Sequence, residues 1–184
     1  EGIDKISPDD IDYGKQLNFV LKPLSVGMQN KDQITLGSFP AFVKTDSLLA
    51  SIQNENNAVL VNAENVGGTM YSGPGAGAKP TANSVLSDVI DIARGKIFDY
   101  GKFVQQDLSS SFDNFSCDRY LKLQVNDKPG VVAKISTLLA KNNLSIDNLI
   151  QKELERSDDQ IPLVIVLSNS DETTIQETIK ELEA

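Results

Sequence analysis

The stretch Gly73-Pro74-Gly75-Ala76-Gly77-Ala78-Lys79-Pro80-Thr81-Ala82 constrains this chain more than any other. Before it, Gly67 to Ser72 has the look of a short strand. After it, Ala82, Val85, Leu86, Val89, Ile90, Ala93 and Ile97 recur at helical spacing, with Asp88 and Asp91 on the other side. The backbone must therefore pass from strand to helix through a loop with few β-carbons. Such a loop can come close to another body. Thr81 lies at the start of the helix, where free amides and the dipole can hold an anion or a ligand carbonyl. The alternative is a tight turn that packs a helix against a sheet. The loop is not a Walker A motif, since no Gly-Lys-Ser/Thr follows, and its spacing is not that of a dinucleotide fingerprint.

Upstream, Ser7-Pro8-Asp9-Asp10 is a helix start. Ser7 is placed to cap, Pro8 sits at the first helical position, and the two aspartates suit the positive end of the dipole. The helix is predicted to run to about Leu17. Phe19 to Met28 and Gln33 to Phe39 read as strands around a polar Asn30-Lys31-Asp32 turn, with Pro40 blocking continuation. Ser47 to Ile52 suits a short helix, and Ala58 to Val61 a further strand. Glu1, Asp4, Lys5, Asp9 and Asp10 read as a solvated, capped helix start rather than as catalytic groups.

The pattern weakens from Phe98 to Arg119, which reads as a linker with some contacts. From Tyr120 the order is strand, helix, strand, strand, helix. Tyr120 to Val125 alternates, Asp127-Lys128-Pro129-Gly130 turns, and Val131, Ile135, Leu138 and Leu139 form a helical stripe ending at Asn142-Asn143. Ser145 to Leu154 is a strand, Arg156 to Gln160 a charged hairpin turn, and Ile161 to Leu167 a nearly continuous apolar strand. Asp171 opens a helix carrying Ile175, Ile179 and Leu182. At the turn, Pro129 fixes φ and Gly130 permits an unusual backbone. The helix-start amides beside Asn126 and Asp127 suit the carboxylate and ammonium of a free amino acid. The simpler alternative is that Asp127 caps the helix and Gly130 only turns it.

Composition narrows the chemistry. The net charge of −9 repels phosphate backbones, which argues against a nucleic-acid partner. No apolar run is long enough to span a membrane, no signal peptide opens the chain, and a lone cysteine, Cys117, points to the cytoplasm. Histidine is absent, so acid–base chemistry would fall to Lys, Asp, Glu or Tyr, and no metal site is expected. Glu153, Glu155, Asp158 and Asp159 surround a turn and read as solvated; Met28 and Met70 read as core.

Two resemblances attach to these residues. Glu1-Gly2-Ile3-Asp4-Lys5-Ile6, Asp10-Ile11-Asp12-Tyr13, Tyr71-Ser72-Gly73-Pro74-Gly75-Ala76-Gly77, Pro80-Thr81-Ala82 and Asp88 together resemble homoserine dehydrogenase over residues 1–97. That resemblance implies that Gly75, Ala76, Gly77, Pro80 and Thr81 lie beside the nicotinamide end of a bound NAD(P). It also implies a helix packed on a nucleotide-binding domain and a sheet that forms a dimer surface. Leu123 to Asn126, Asp127 to Val132, Ile135, Leu138-Leu139 and Asn143 to Ile146 resemble an ACT domain over residues 120–184. That implies an amino-acid effector, threonine by the family's pathway, held by Asn126, Asp127, Gly130, Val131 and Val132.

The expected architecture is α/β (α+β). A mostly antiparallel sheet with helices forms the rear part of a catalytic domain (1–97). A linker (98–119) and a ferredoxin-like βαββα(β) ACT unit (120–184), lacking its last strand, follow. The family's catalytic lysine and acidic residues are expected upstream of Glu1, so no catalytic residue is assigned here. No cofactor is expected on this chain alone, which should not reduce NAD or NADP with homoserine. A homodimer or higher oligomer is expected. Competing readings are a stand-alone amino-acid-binding regulator and another ACT-bearing enzyme, such as a phosphoglycerate dehydrogenase or aspartokinase. The glycine loop argues against the first, and residues 1–97 resemble neither of the second.

Overall fold

A computed structural model describes residues 2–30, 33–96, 109–110, 115–151 and 160–183. Its packing separates two units, Glu1–Leu24 with Ser38–Asp107, and Ser25–Gly37 with Leu108–Ala184.

In the first unit, α1 (Pro8–Gln16) starts as its sequence requires. The Ser7 amide donates to Asp10 Oδ2 at 2.8 Å, and Asp10 N donates back to Ser7 Oγ at 3.4 Å. This capping box satisfies two helix-start amides at once. It also takes Asp10 out of water: the residue is 3% exposed, so the expectation of a solvated carboxylate fails there. Tyr13, one turn further on, is buried at 1%. Burial raises the pKa of its phenol, and the charges of Asp9 and Asp10 add to the rise.

Strands β1 (Phe19–Asn30) and β2 (Gln33–Lys44), whose stretch Ser25–Gly37 belongs to the second unit, are neighbours in a sheet whose third member, β5 (Ser109–Ser110), runs parallel to β2. β2 passes straight through Pro40, against expectation. Its described pairing with β5 covers Gln33 and Ile34. Leu48–Ser51 form the expected short helix, of 3-10 type, with Ser47 Oγ accepting from Leu49 N at 3.3 Å. Strands β3 (Asn56–Ala63) and β4 (Gly67–Pro74) form an antiparallel hairpin. The helix α2 (Ala78–Ala93) follows. It stops short of Ile97 because Gly95 takes φ 71°, and the amides of Arg94, Gly95 and Lys96 fold back onto its last carbonyls. Ile97 itself lies outside the described residues, as does most of the expected linker.

In the second unit, β6 (Cys117–Asn126), α3 (Val131–Lys141), β7 (Ile146–Gln151), β8 (Gln160–Ser170) and α4 (Glu172–Glu183) follow the expected order. The sheet is antiparallel with order β6-β8-β7. Its central strand is the one with the nearly continuous apolar run, and Ile161 to Leu167 are all buried. Alternate members Leu163, Ile165 and Leu167 meet Ile135, Leu139, Leu144 and Ile175 in one core. Asn143, at φ 62°, ends α3, and Leu144 N closes on Leu139 O at 2.9 Å. Arg119 ties the unit's opening residues to its last helix: its guanidinium meets Glu172 at 2.8 Å and donates to Phe115 O at 2.9 Å. The expected Arg156–Gln160 turn, with Glu153, Glu155, Asp158 and Asp159, falls on residues outside the described set, Gln160 excepted.

Candidate functional site

Two places gather the residues singled out by sequence. The first is the loop between β4 and α2. Its glycines have different physical reasons. Gly77 caps α2 at φ 118° and ψ 152°, a conformation that L side chains rarely adopt. Gly75 has no such backbone demand. A β-carbon there would fall onto the Asn57 carboxamide, 2.7 Å from its Cγ, and the Gly75 amide donates to Glu55 O at 2.8 Å. No side chain caps α2. Thr81 closes the first turn through both its amide and its hydroxyl, each donating to Gly77 O, at 3.1 and 2.8 Å. Pro80 has no N–H to offer, so the helix-start amides beyond Gly77 come from Ala78 and Lys79. Ala76 lies between the two glycines, exposed.

The second place is a cleft at one end of the β6-β8-β7 sheet. It has a volume of about 330 Å³ and is built around the turn from Asn126 to Val132. All of Asn126, Asp127, Gly130, Val131 and Val132 border it, and the sequence reading missed Gln151 and Ile161 on the far wall. Those two arrive through strand register: Val125 pairs with Ile161, and Gln151 with Leu163. Nothing in their local sequence marks them. Gly130 is the N-cap of α3 in the left-handed region, φ 91° and ψ −11°. The N-cap residue is thus a glycine, with no side chain of its own to cap the helix. Lys128 N turns back to Asn126 O at 2.8 Å, which folds the backbone around the cleft.

A family model described as homoserine dehydrogenase matches residues 1–90, and one described as ACT domain matches residues 119–184. The chain belongs to the homoserine dehydrogenase family. Homoserine dehydrogenase of Pseudomonas aeruginosa is 34% identical over 194 residues, spanning 100% of this chain and 45% of the relative. That of Helicobacter pylori is 35% identical, spanning 100% and 44%. The chain thus spans just under half the length of these homoserine dehydrogenases. The crystal structure of a homoserine dehydrogenase from Thiobacillus denitrificans superposes with a TM-score of 0.84 at 28% identity, over 100% of this chain and 43% of that one. The mixed α/β fold with antiparallel sheets and an ACT unit is therefore that of the family.

Outside these two places, the Cys117 thiol is shifted by its surroundings. Burial pushes the Cys117 thiol up, against a smaller opposing pull from Arg119, which keeps it protonated and unreactive at neutral pH. Among the described residues, no cluster of three or more His, Cys, Asp or Glu side chains could hold a metal ion. Among them also, no helix is long and apolar enough to cross a membrane.

Proposed function

We propose that the complete enzyme interconverts L-aspartate 4-semialdehyde and L-homoserine with NAD(P), and that the second unit reads threonine as a feedback signal. The tandem of family matches, residues 1–90 and 119–184, carries this reading. A bare amino-acid sensor needs no homoserine dehydrogenase segment, so the stand-alone regulator is the weaker account.

The residues at the β4–α2 loop fit the nicotinamide cofactor. Gly77 leaves the backbone without a side chain at an uncapped helix start, and the exposed Ala76 adds only a methyl group. Gly75, Ala76 and Gly77, with Pro80 and Thr81 behind them, would border the nicotinamide end. When bound, the cofactor supplies or accepts the hydride. The chain's own share is to present a close backbone surface and to keep Thr81 occupied with Gly77 O, so that the first turn of α2 stays formed. Catalytic proton transfer is assigned to no residue of this chain.

At the cleft, the amides that open α3 after Gly130 suit a carboxylate, Asn126 or Asp127 suits the ammonium, and Val125, Val131 and Ile161 supply an apolar wall. A millimolar dissociation constant needs only about −4 kcal/mol, within reach of a few charge-assisted hydrogen bonds. Calorimetric titration with threonine, isoleucine, methionine and serine, on the natural protein and on Gly130→Val, tests the assignment. Threonine is expected to give heat that the variant loses; equal or absent heat in both overturns the site. We further propose self-association as a discrete dimer; sedimentation showing only monomer at micromolar concentration argues against it.

A further inference from the structure

We infer that Asn57 is a positioning residue that sets the conformation of the Gly75–Gly77 loop. The inference rests on the proposed cofactor role of that loop and adds to it a residue outside the loop. Asn57 lies near the start of β3 and pairs with Gly73 of β4; its neighbour Asn56 pairs with Pro74, where the ladder ends. Past that point the chain does not leave the sheet freely. The Gly75 amide reaches back to Glu55 O at 2.8 Å, which lays the α-carbon of Gly75 beneath the Asn57 side chain.

The steric environment shows what a β-carbon there would meet. The backbone oxygen nearest a hypothetical β-carbon, Glu55 O, would be at an ordinary 3.4 Å, whereas the Asn57 carboxamide would be overlapped. Gly75 is also absent from the glycines with positive φ, which are Gly67, Gly77, Gly95 and Gly130. A β-carbon at 75 would thus have to push aside the end of the Asn57 side chain, whereas at 77 φ itself favours glycine. At its first glycine the loop lies against a side chain of the neighbouring strand, and at its last its backbone geometry favours glycine. Ala76, between them, takes its direction from both anchors. The carboxamide is short and has few rotamers, so it can restrain the loop at small entropic cost. Asn57 is itself exposed, so shortening it removes no core contact.

The test uses the complete enzyme with Asn57→Ala, Gly75→Ala and the double variant, read in two ways. Hydrogen–deuterium exchange of the peptide spanning the loop needs no cofactor. Steady-state kinetics report the KM for the nicotinamide cofactor separately from kcat. Asn57→Ala is expected to speed exchange of the loop and raise cofactor KM about 10-fold with kcat within about 2-fold. Gly75→Ala displaces the same carboxamide, so the double variant should be no worse than the worse single one, where independent effects would multiply to roughly 100-fold. Unchanged exchange in Asn57→Ala, or multiplicative effects in the double variant, overturns the positioning role. Faster exchange with unchanged cofactor KM in all three variants upholds it and overturns the cofactor reading of the loop instead.

Discussion

The two units bury their apolar residues in opposite ways. In the second, Ile135, Leu139, Leu144, Leu163, Ile165, Leu167 and Ile175 close a core between α3, α4 and one face of the sheet. In the first, the buried hydrophobic residues among those described are Tyr13 and Val43. There α2 has no buried residue at all, and its expected inward stripe of Val85, Leu86, Val89 and Ile90 is exposed, as are Val59, Val61 and Tyr71 on the hairpin before it. An apolar stripe on a regular amphipathic helix is costly to leave in water, and large exposed patches mark surfaces that meet another body. The second unit has the makings of a self-sufficient fold. The first leaves the apolar face of α2 open.

The largest expected effect breaks or upholds that contrast directly. Leu139→Ala, at a side chain with 0% exposure, should cost about 2–5 kcal/mol in urea denaturation of the second unit. Val89→Ser on α2 should change the stability of this chain by no more than about 0.5 kcal/mol, as exposed substitutions do. The comparison sharpens in the complete enzyme. If α2 is covered there, the same Val89→Ser should cost about 1.5–3 kcal/mol, the worth of a fully buried side chain of this size. Equal small costs in both forms would leave the stripe unexplained.

A smaller effect comes from Gly130. Its φ of 91° disfavours any β-carbon, yet nothing lies within 4 Å of where one would sit. Gly130→Ala should therefore lower stability by about 1 kcal/mol from backbone strain, not from a clash. Thermal unfolding of the second unit measures it. A loss well above that size would mean that packing, and not conformation, requires this glycine.

The smallest effect concerns acid. Asp171 caps α4, accepting from Thr174 N at 2.9 Å and Thr174 Oγ1 at 2.8 Å, and these bonds hold its carboxyl below the usual range. A depressed folded pKa contributes stability that is complete above the unfolded value of about 3.9 and is lost as pH falls through the folded one. Glu181, lowered by its bond to Lys141, acts in the same sense. Unfolding curves at descending pH should thus show the second unit weakening below about pH 4. Asp171→Asn, which keeps a capping acceptor but cannot titrate, should have a shallower acid limb. An unchanged limb would assign acid sensitivity to other carboxylates.

Sequence by itself determined the local elements of this protein and the identity of its two modules. Capping at Ser7 and Asp10, the turn residues around Gly130, the strand-to-helix change at Gly75–Gly77 and the unbroken apolar run of β8 are local or periodic, and each is written within a few neighbouring residues. Tertiary structure decided whatever depended on residues far apart in the chain. It let β2 run through Pro40 to Lys44. It brought Gln151 and Ile161 to the cleft through strand register. It grouped Ser25–Gly37 with the second unit. It set Asn57 over Gly75, where a β-carbon would meet that side chain, while Gly77 takes a φ that favours glycine. The pattern of α2 announced an apolar face, but a face is buried only if something lies against it, and periodicity names no partner.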